Sequence, residues 1–354
     1  MNILNLHIQD FKCFREASFE LNNITVMTGA NSAGKSTIIQ ALLLMNLASE
    51  NPMVSLEDSR LALNFGRVDD IINEDADDHV EFRISNSVFS FNGTDSQDGK
   101  IIRFDVNSDE NVFAQGFKYL SADRIGPRYV TPISSEMEDC GCRGLQTANV
   151  INNNAFTKIA EERLYRPSGN FQIQLDEWLN TIFPGISVKI KPSGDTHCQL
   201  TVRRAGYSTT SAATNVGYGI SYALPILVSC LLAKEGSWIV IENPEAHLHA
   251  KAQSNMGYFL GVMAASGLRI IVETHSEHVV NGIRRAVVNP ASSLTNKDIN
   301  IYYMRAEKDG GKVKIAVDER GNLSDFPVDF FDQGRQDMMD IIQTAQGYGQ
   351  HPNY

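Results

Sequence analysis

The residues from Gly29 to Ser36 (Gly-Ala-Asn-Ser-Ala-Gly-Lys-Ser) fit G-x-x-x-x-G-K-[ST], the spacing of a loop that cradles phosphate. Each residue type has a physical reason. Gly29 and Gly34 let the backbone turn sharply and bring its N–H groups close to phosphate oxygens. A helix that opens near Gly34 points its unpaired N–H groups and the positive end of its dipole at the same anion. Lys35 has the reach and charge for the β- and γ-phosphates, and the Ser36 hydroxyl is an oxygen ligand for Mg²⁺. Asn31, Ser32, Ala33 and Thr37 complete the expected cofactor-binding set, with ATP and Mg²⁺ as the cofactors. The flanks agree: Ile24 to Met27 is β-rich, and Ile38 to Leu47 is an apolar, helix-forming run.

Further chemistry lies downstream. Ser237 to Glu242 reads as a buried strand ending in a carboxylate, the Walker B arrangement, which places Glu242 to bind the Mg²⁺ shell. Asn243-Pro244-Glu245-Ala246-His247-Leu248-His249 comes next, with Pro244 stopping the strand. An amide at Asn243 cannot take a proton, so Glu245 is the carboxylate left to act as a base. Upstream, Asn215-Val-Gly217-Tyr-Gly219-Ile-Ser221 precedes an apolar helix expected from Tyr222 to Lys234, a second helix start suited to an anion. Alone, that glycine pair is a weak signal. Leu268 to Glu273 reads as a strand, with Thr274-His275-Ser276 at its carboxyl end. His247 and His249 lack an evident third ligand for a metal, and Cys140-Gly-Cys142 lacks a second pair.

Those motifs must be positioned by an α/β scaffold. Strands are expected over Ile3 to Ile8 and Ala17 to Leu21, ahead of the loop strand. Val80 to Ile84, Val88 to Phe91 and Ile101 to Val106 read as an antiparallel meander, and Phe117 to Leu120 as a further strand. Arg124 and Arg128, in the loop after it, face either a phosphate, a partner or a surface acid. A polar, partly helical lobe comes after that loop, with helices near Ala148 to Leu164 and Gln172 to Ile182. Arg143, Lys158, Arg163 and Arg166 lie among acids there and read as a mixed solvated face. Ser187 to Lys191 and Gln199 to Arg204 are strands, Glu277 to Val288 is a helix, and Ile299 to Met304 with Lys312 to Val317 form an edge hairpin around Asp309-Gly-Gly311. The tail is aromatic and acidic, with Phe326, Phe330 and Phe331 expected to pack on the core and a short helix at Met338 to Thr344.

The 354 residues carry a net charge of −11, so there is no bulk attraction to nucleic acid or to an anionic membrane, and any DNA contact needs a local basic patch. Five cysteines do not suggest a disulfide framework. The N-terminus shows no signal segment, and the longest apolar run, Tyr222 to Ala233, falls short of the ~20 residues that span a bilayer. The expected location is cytoplasmic, with no membrane contact.

The opening "NLHIQDFKCFREASFELNNITVMTGANSAGKST" resembles the SMC, RecF and ABC-type ATPases, in which an N-terminal hairpin precedes the nucleotide strand. "NVGYGIS" and "ENPEAHLH" resemble the overcoming-lysogenization-defect-like group of AAA ATPases within that class. The resemblance implies an ABC-type P-loop ATPase head with a mixed central sheet, an antiparallel β-layer and an inserted helical lobe. It places the ATPase domain over 1–317, with the insertion at about 121–235, and a small appendage over 318–354. It gives Asn215, Gly217, Gly219 and Ser221 the role of a signature motif that contacts ATP held by a second copy. It makes Glu242, Glu245 and His275 the catalytic set, His275 as the residue that contacts the γ-phosphate. In that class a glutamate usually occupies the position of Asn243, so slow turnover is implied.

Two functions are consistent with the resemblance. One is an ATPase that forms a homodimer or higher homo-oligomer around ATP and controls a nucleic-acid-directed effector, in anti-phage defence or DNA repair and maintenance. Too few residues lie after His275 for a Toprim nuclease domain, so a nuclease or toxin would be a separate chain. The other is a nucleotide-gated scaffold or sensor that binds ATP with little turnover and holds a protein effector. A metabolic kinase fits the acidic strand and His275 poorly.

Overall fold

The computed structural model describes residues 2–58, 60–133, 139–306 and 311–345. Its centre is a six-stranded sheet in the order Phe117–Leu120, Trp238–Glu242, Arg269–Glu273, Ile24–Gly29, Ile299–Met304, Lys312–Ile315. Neighbours are parallel except the last pair, so the sheet is mixed, as expected. Alternation along the strands sends side chains to two separate cores. Ile24, Val26, Ile239, Ile241, Ile270 and Val272 enter one, beneath helices Tyr218–Leu232, Ala250–Ala265 and Glu277–Val288. Met27, Val240 and Ile271 enter the other, with helix Lys35–Glu50. That helix lies between two sheets, which is why its apolar residues run all round it.

The second sheet is antiparallel, in the order Asp105–Asn107, Ser87–Asn92, His79–Ile84, Leu4–Phe11, Phe14–Leu21. It is the expected β-layer, with one correction. The strand expected from Ile101 to Val106 divides at Phe104, whose ring is buried against Phe82 and Phe91. Ile101–Arg103 instead pairs with Met53–Ser55, and only Asp105–Asn107 joins the layer.

The inserted lobe contains helices Thr147–Asn154 and Phe171–Ile182 and the hairpin Ile186–Ser193 with His197–Arg204. The helix expected from Ala148 to Leu164 stops at Asn154, after three consecutive asparagines that favour turns over helix interior. Arg163 is also corrected. It is not solvated but 2% exposed, donating Nε–H to Ser266 Oγ at 2.9 Å and Nη1 to the carbonyls of Cys230 at 3.2 Å and Leu231 at 3.3 Å, and to Ala233. Those carbonyls close the C-terminal end of helix Tyr218–Leu232, where no intrahelical donor remains. Arg143 and Arg166 do reach acids at the surface, Asp123 and Glu177.

Helices Ala250–Ala265 and Glu277–Val288 touch backbone to backbone. A Cβ on Gly257 would lie 2.1 Å from the Val279 carbonyl, and one on Gly282 would lie 2.0 Å from that of Ser254. The edge hairpin Ile299–Met304 with Lys312–Ile315 forms, and its Asp309-Gly310 turn lies outside the described residues. In the tail, Phe330 is buried with its ring 5.6 Å from that of Tyr303, and Phe331 packs beside it, while Phe326 is 67% exposed. The tail helix is longer than Met338 to Thr344, running Gln333–Ala345, and residues 346–354 lie outside the described residues. Among the described residues no helix is long and apolar enough to cross a membrane.

Candidate functional site

The Gly29–Ser36 loop leaves the carboxyl end of a central strand and enters a helix, the context its sequence required. Both glycines are steric necessities. Gly29 has φ +128, and a Cβ there would sit 2.1 Å from the Met304 carbonyl oxygen. Gly34 has φ +88, and a Cβ would meet the Phe14 ring at 2.7 Å and the Cys13 sulfur at 2.8 Å. The N-terminal hairpin therefore presses directly on the loop. Lys35 is 4% exposed and donates to the carbonyls of Gly29 at 3.1 Å and Ala30 at 2.7 Å, inside its own loop. Burial lowers its pKa, and the nearby Glu273 opposes that. Gly34, in the left-handed region, caps the helix with no side chain, so the helix start keeps its N–H groups for another acceptor.

Two adjacent parallel strands end in carboxylates in register, Glu242 beside Glu273. Glu242 Oε2 accepts from the Ala122 N–H at 3.0 Å. Glu273, not Glu242, takes the Ser36 hydroxyl, at 3.2 Å from Oε1 and 3.0 Å from Oε2. Burial first, then Glu242, pushes the Glu273 carboxyl up to about 7. Sequence reasoning missed this residue. Its only signal was an acid at the end of an otherwise apolar strand, the same signal that marked Glu242.

The loop after Glu242 is tightly held. Asn243 has φ +45, and its N–H donates to the Glu273 carbonyl at 2.8 Å. Glu245 accepts from the Thr274 hydroxyl at 2.7 Å on one oxygen and from the His275 N–H at 2.7 Å on the other. Glu245 thus anchors the segment that carries His275. The imidazole pKa of His275 is lowered by burial and by Lys35, which keeps the ring neutral at pH 7. His275 lines a cavity of about 220 Å³ together with Thr28, Gly29 and Tyr303.

Arg124 faces no solvent-side phosphate, contrary to one sequence expectation. It is 1% exposed and donates to the carbonyls of Ser121 and Glu242, each at 2.7 Å, and of Asn243 at 2.6 Å. Its guanidinium lies over the Tyr222 ring. It fixes the backbone that carries Glu242 and ties it to helix Tyr218–Leu232. Arg128 is exposed.

The fold brings the P-loop, Glu242, Glu245, Glu273 and His275 to one edge. It does not bring Asn215, Gly217, Gly219 and Ser221 there, and no hydrogen bond among the described residues joins them to the P-loop. Their helix begins at Tyr218, earlier than the expected Tyr222, with Gly217 as its N-cap. Gly219 abuts the His247 carbonyl, and the rings of Tyr218 and Tyr222 pack on His247. His249 caps the next helix through its ring nitrogen.

Comparison with solved structures decides the architecture. The SmcHead bound to the C-winged helix domain of ScpA matches with a TM-score of 0.54 at 12% identity, over 89% of this chain and 98% of that one. The Smc head domain with an extended coiled coil, bound to the C-terminal domain of ScpA derived from Pyrococcus furiosus, matches with a TM-score of 0.52 at 10% identity, over 97% of this chain and 99% of that one. The fold is that of an SMC-type ATPase head. Sequence families agree in part. A model described as "AAA ATPase domain" matches residues 1–124, and one described as "AAA domain, putative AbiEii toxin, Type IV TA system" matches residues 186–281. A third, "Protein of unknown function (DUF3696)", matches residues 294–341. No curated protein matches the sequence. Within this fold, the first match contains the P-loop and the second contains Glu242, Glu245 and His275.

The donors present fit both cofactors that such a head implies. A buried lysine and a helix start without a side-chain cap suit a polyphosphate. The Ser36 hydroxyl, the Glu273 carboxylate it bonds and Glu242 on the neighbouring strand end are all oxygen donors, a set that suits Mg²⁺. A divalent cation held there would offset the burial cost of an ionised Glu273.

Proposed function

We propose that this protein binds ATP with Mg²⁺, hydrolyses it slowly, and dimerises around it to control a nucleic-acid-directed effector carried on a separate chain. The observation that carries the reading is the meeting of Lys35, Ser36, Glu242, Glu273 and His275 at the carboxyl ends of the central parallel strands, while the Asn215–Ser221 segment stands apart at a helix start without a side-chain cap. Lys35 and the loop N–H groups hold the phosphates. Ser36, Glu242 and Glu273 hold Mg²⁺, which neutralises charge on the β- and γ-phosphates when bound. Neutral His275 donates a hydrogen bond to the γ-phosphate. Asn215, Gly217, Gly219 and Ser221 of a second copy complete the site, so the γ-phosphate is the group both copies touch.

Slow turnover is expected from the residues beside Glu242. Asn243 cannot accept a proton, and both oxygens of Glu245 already hold the His275 segment. That same observation favours a second reading, a nucleotide-gated scaffold in which the ATP-bound assembly is the product. A cytoplasmic role in anti-phage defence or DNA repair suits either reading. Steady-state ATP hydrolysis, with and without double-stranded DNA and with Lys35→Ala as the blank, separates them. Turnover that rises with DNA supports the first reading. Turnover equal to the blank, with ATP still bound, supports the second. Failure to bind ATP overturns both.

A further inference from the structure

The tail lies beside the first residue of the P-loop. Asp329, Phe330, Phe331, Asp332 and Gln333 line the 220 Å³ cavity together with Thr28, Gly29, His275 and Tyr303. This segment is held in an unusual way. Asp329 has φ +66 and Phe331 has φ +56, both in the left-handed region that ordinary side chains avoid. Between them Phe330 is 4% exposed, its ring 5.6 Å from that of Tyr303 and 4.7 Å from that of Phe331. One buried ring thus keeps two strained residues in place, and strain of this kind persists only where surroundings over-determine it. The helix that continues from this segment, Gln333–Ala345, has no buried residue, and Met338, Met339, Ile341 and Ile342 are exposed along it. No buried residue of this helix stands against its moving with that segment.

Charge gives that arrangement a direction. Asp329 and Asp332 line the same cavity as Gly29, the first residue of the phosphate loop, Asp332 also accepting from Gln336 Nε2 at 2.8 Å. Two carboxylates there repel a polyphosphate. On the reading of the site given above, we propose that Asp329–Gln333 is an autoinhibitory strap over the nucleotide site, displaced by the triphosphate of ATP. Phe330 is its latch, and helix Gln333–Ala345 is the part whose position reports whether ATP is bound. Displacement relieves the left-handed turns at Asp329 and Phe331, which offsets part of the cost of pulling Phe330 out. The strap makes nucleotide occupancy visible on the surface without a second binding site.

The test uses the full chain, with ATP binding measured calorimetrically in the presence of Mg²⁺ and amide hydrogen exchange monitored over residues 326–345. Asp329→Asn with Asp332→Asn is expected to tighten ATP binding about fivefold at low salt, with the gain fading at high salt as screening grows. ATP is expected to raise exchange in the strap, and Phe330→Ala to raise it without ATP. Wild-type ATP binding together with unchanged exchange and an unchanged affinity in the double variant would overturn the strap alone. No ATP binding by the wild type would overturn the nucleotide reading and the strap with it.

Discussion

The Ser36 hydroxyl donates to the carboxylate of Glu273, 3.0 Å from Oε2, although Glu242 ends the neighbouring strand in the same register. The phosphate loop is therefore tied to the strand that leads into His275. Thr274 and His275 come directly after Glu273, and both are held by Glu245.

Glu273 sets a pH dependence on stability. Its folded value is about 7 against an ordinary 4.5, so between those values the folded protein holds a proton that the unfolded chain has lost. Stability then falls as pH rises from about 4.5 to about 7 and is level above that. At pH 8 the ionised, buried carboxylate costs on the order of 3 kcal/mol. Glu273→Gln is expected to be more stable than wild type at about pH 8 and equal to it near pH 5, measured by urea unfolding without nucleotide. An equal gap at both pH values would contradict this. The same variant is expected to lose Mg²⁺-dependent tightening of ATP binding.

Glu245→Gln removes one acceptor from a pair that holds Thr274 and His275. A loss of about 1–2 kcal/mol in stability is expected, together with a fall in whatever ATP turnover the wild type shows. A stable variant with undiminished turnover would mean that the loop holds His275 without help from Glu245.

Arg163→Ala leaves several carbonyls at the end of helix Tyr218–Leu232 without their buried donor. A loss of about 3 kcal/mol or more is expected in chemical denaturation, and Arg163→Lys should recover only part of it, since an ammonium cannot span the same fork. A cost below about 0.5 kcal/mol would show that the brace is unimportant.

Much of the architecture was legible in the residue pattern because local rules coincide there. The glycine spacing, the strand before and the helix after it all point to one loop, and the structure finds each. Apolar runs ending in an acid marked Glu242. The same rule applied to Arg269–Glu273, but the bond to Ser36 depends on which strands become neighbours, and spacing alone does not encode that. Arg124 and Arg163 read as surface or ligand-facing charges because arginine is rarely buried. Their burial depends on carbonyls from distant elements, Glu242 and Asn243 for one and the end of helix Tyr218–Leu232 for the other. The division at Phe104 also escaped local reading, since that side chain is decided by Phe82 and Phe91 on other strands.

Space around the glycines decides how the proposed dimer should be probed. A Cβ on Gly219 would lie 2.8 Å from the His247 carbonyl, so a substitution there disturbs the monomer. Gly217 has φ −62 and nothing within 4 Å of a Cβ, and it is the N-cap of its helix. Aspartate is a favourable N-cap, so Gly217→Asp is expected to keep or raise monomer stability while placing a negative charge where the second copy's ATP would lie. Thermal unfolding checks the first half of that statement, and a drop of more than a few degrees would contradict it.

The most direct measurement is the mass in solution by sedimentation, with and without Mg²⁺ and ATP, for wild type, Lys35→Ala and Gly217→Asp. The account predicts an ATP-dependent doubling for wild type only, with Gly217→Asp still binding ATP as a monomer. A wild-type protein that binds ATP and keeps its mass, or a Gly217→Asp variant that associates normally, would contradict it.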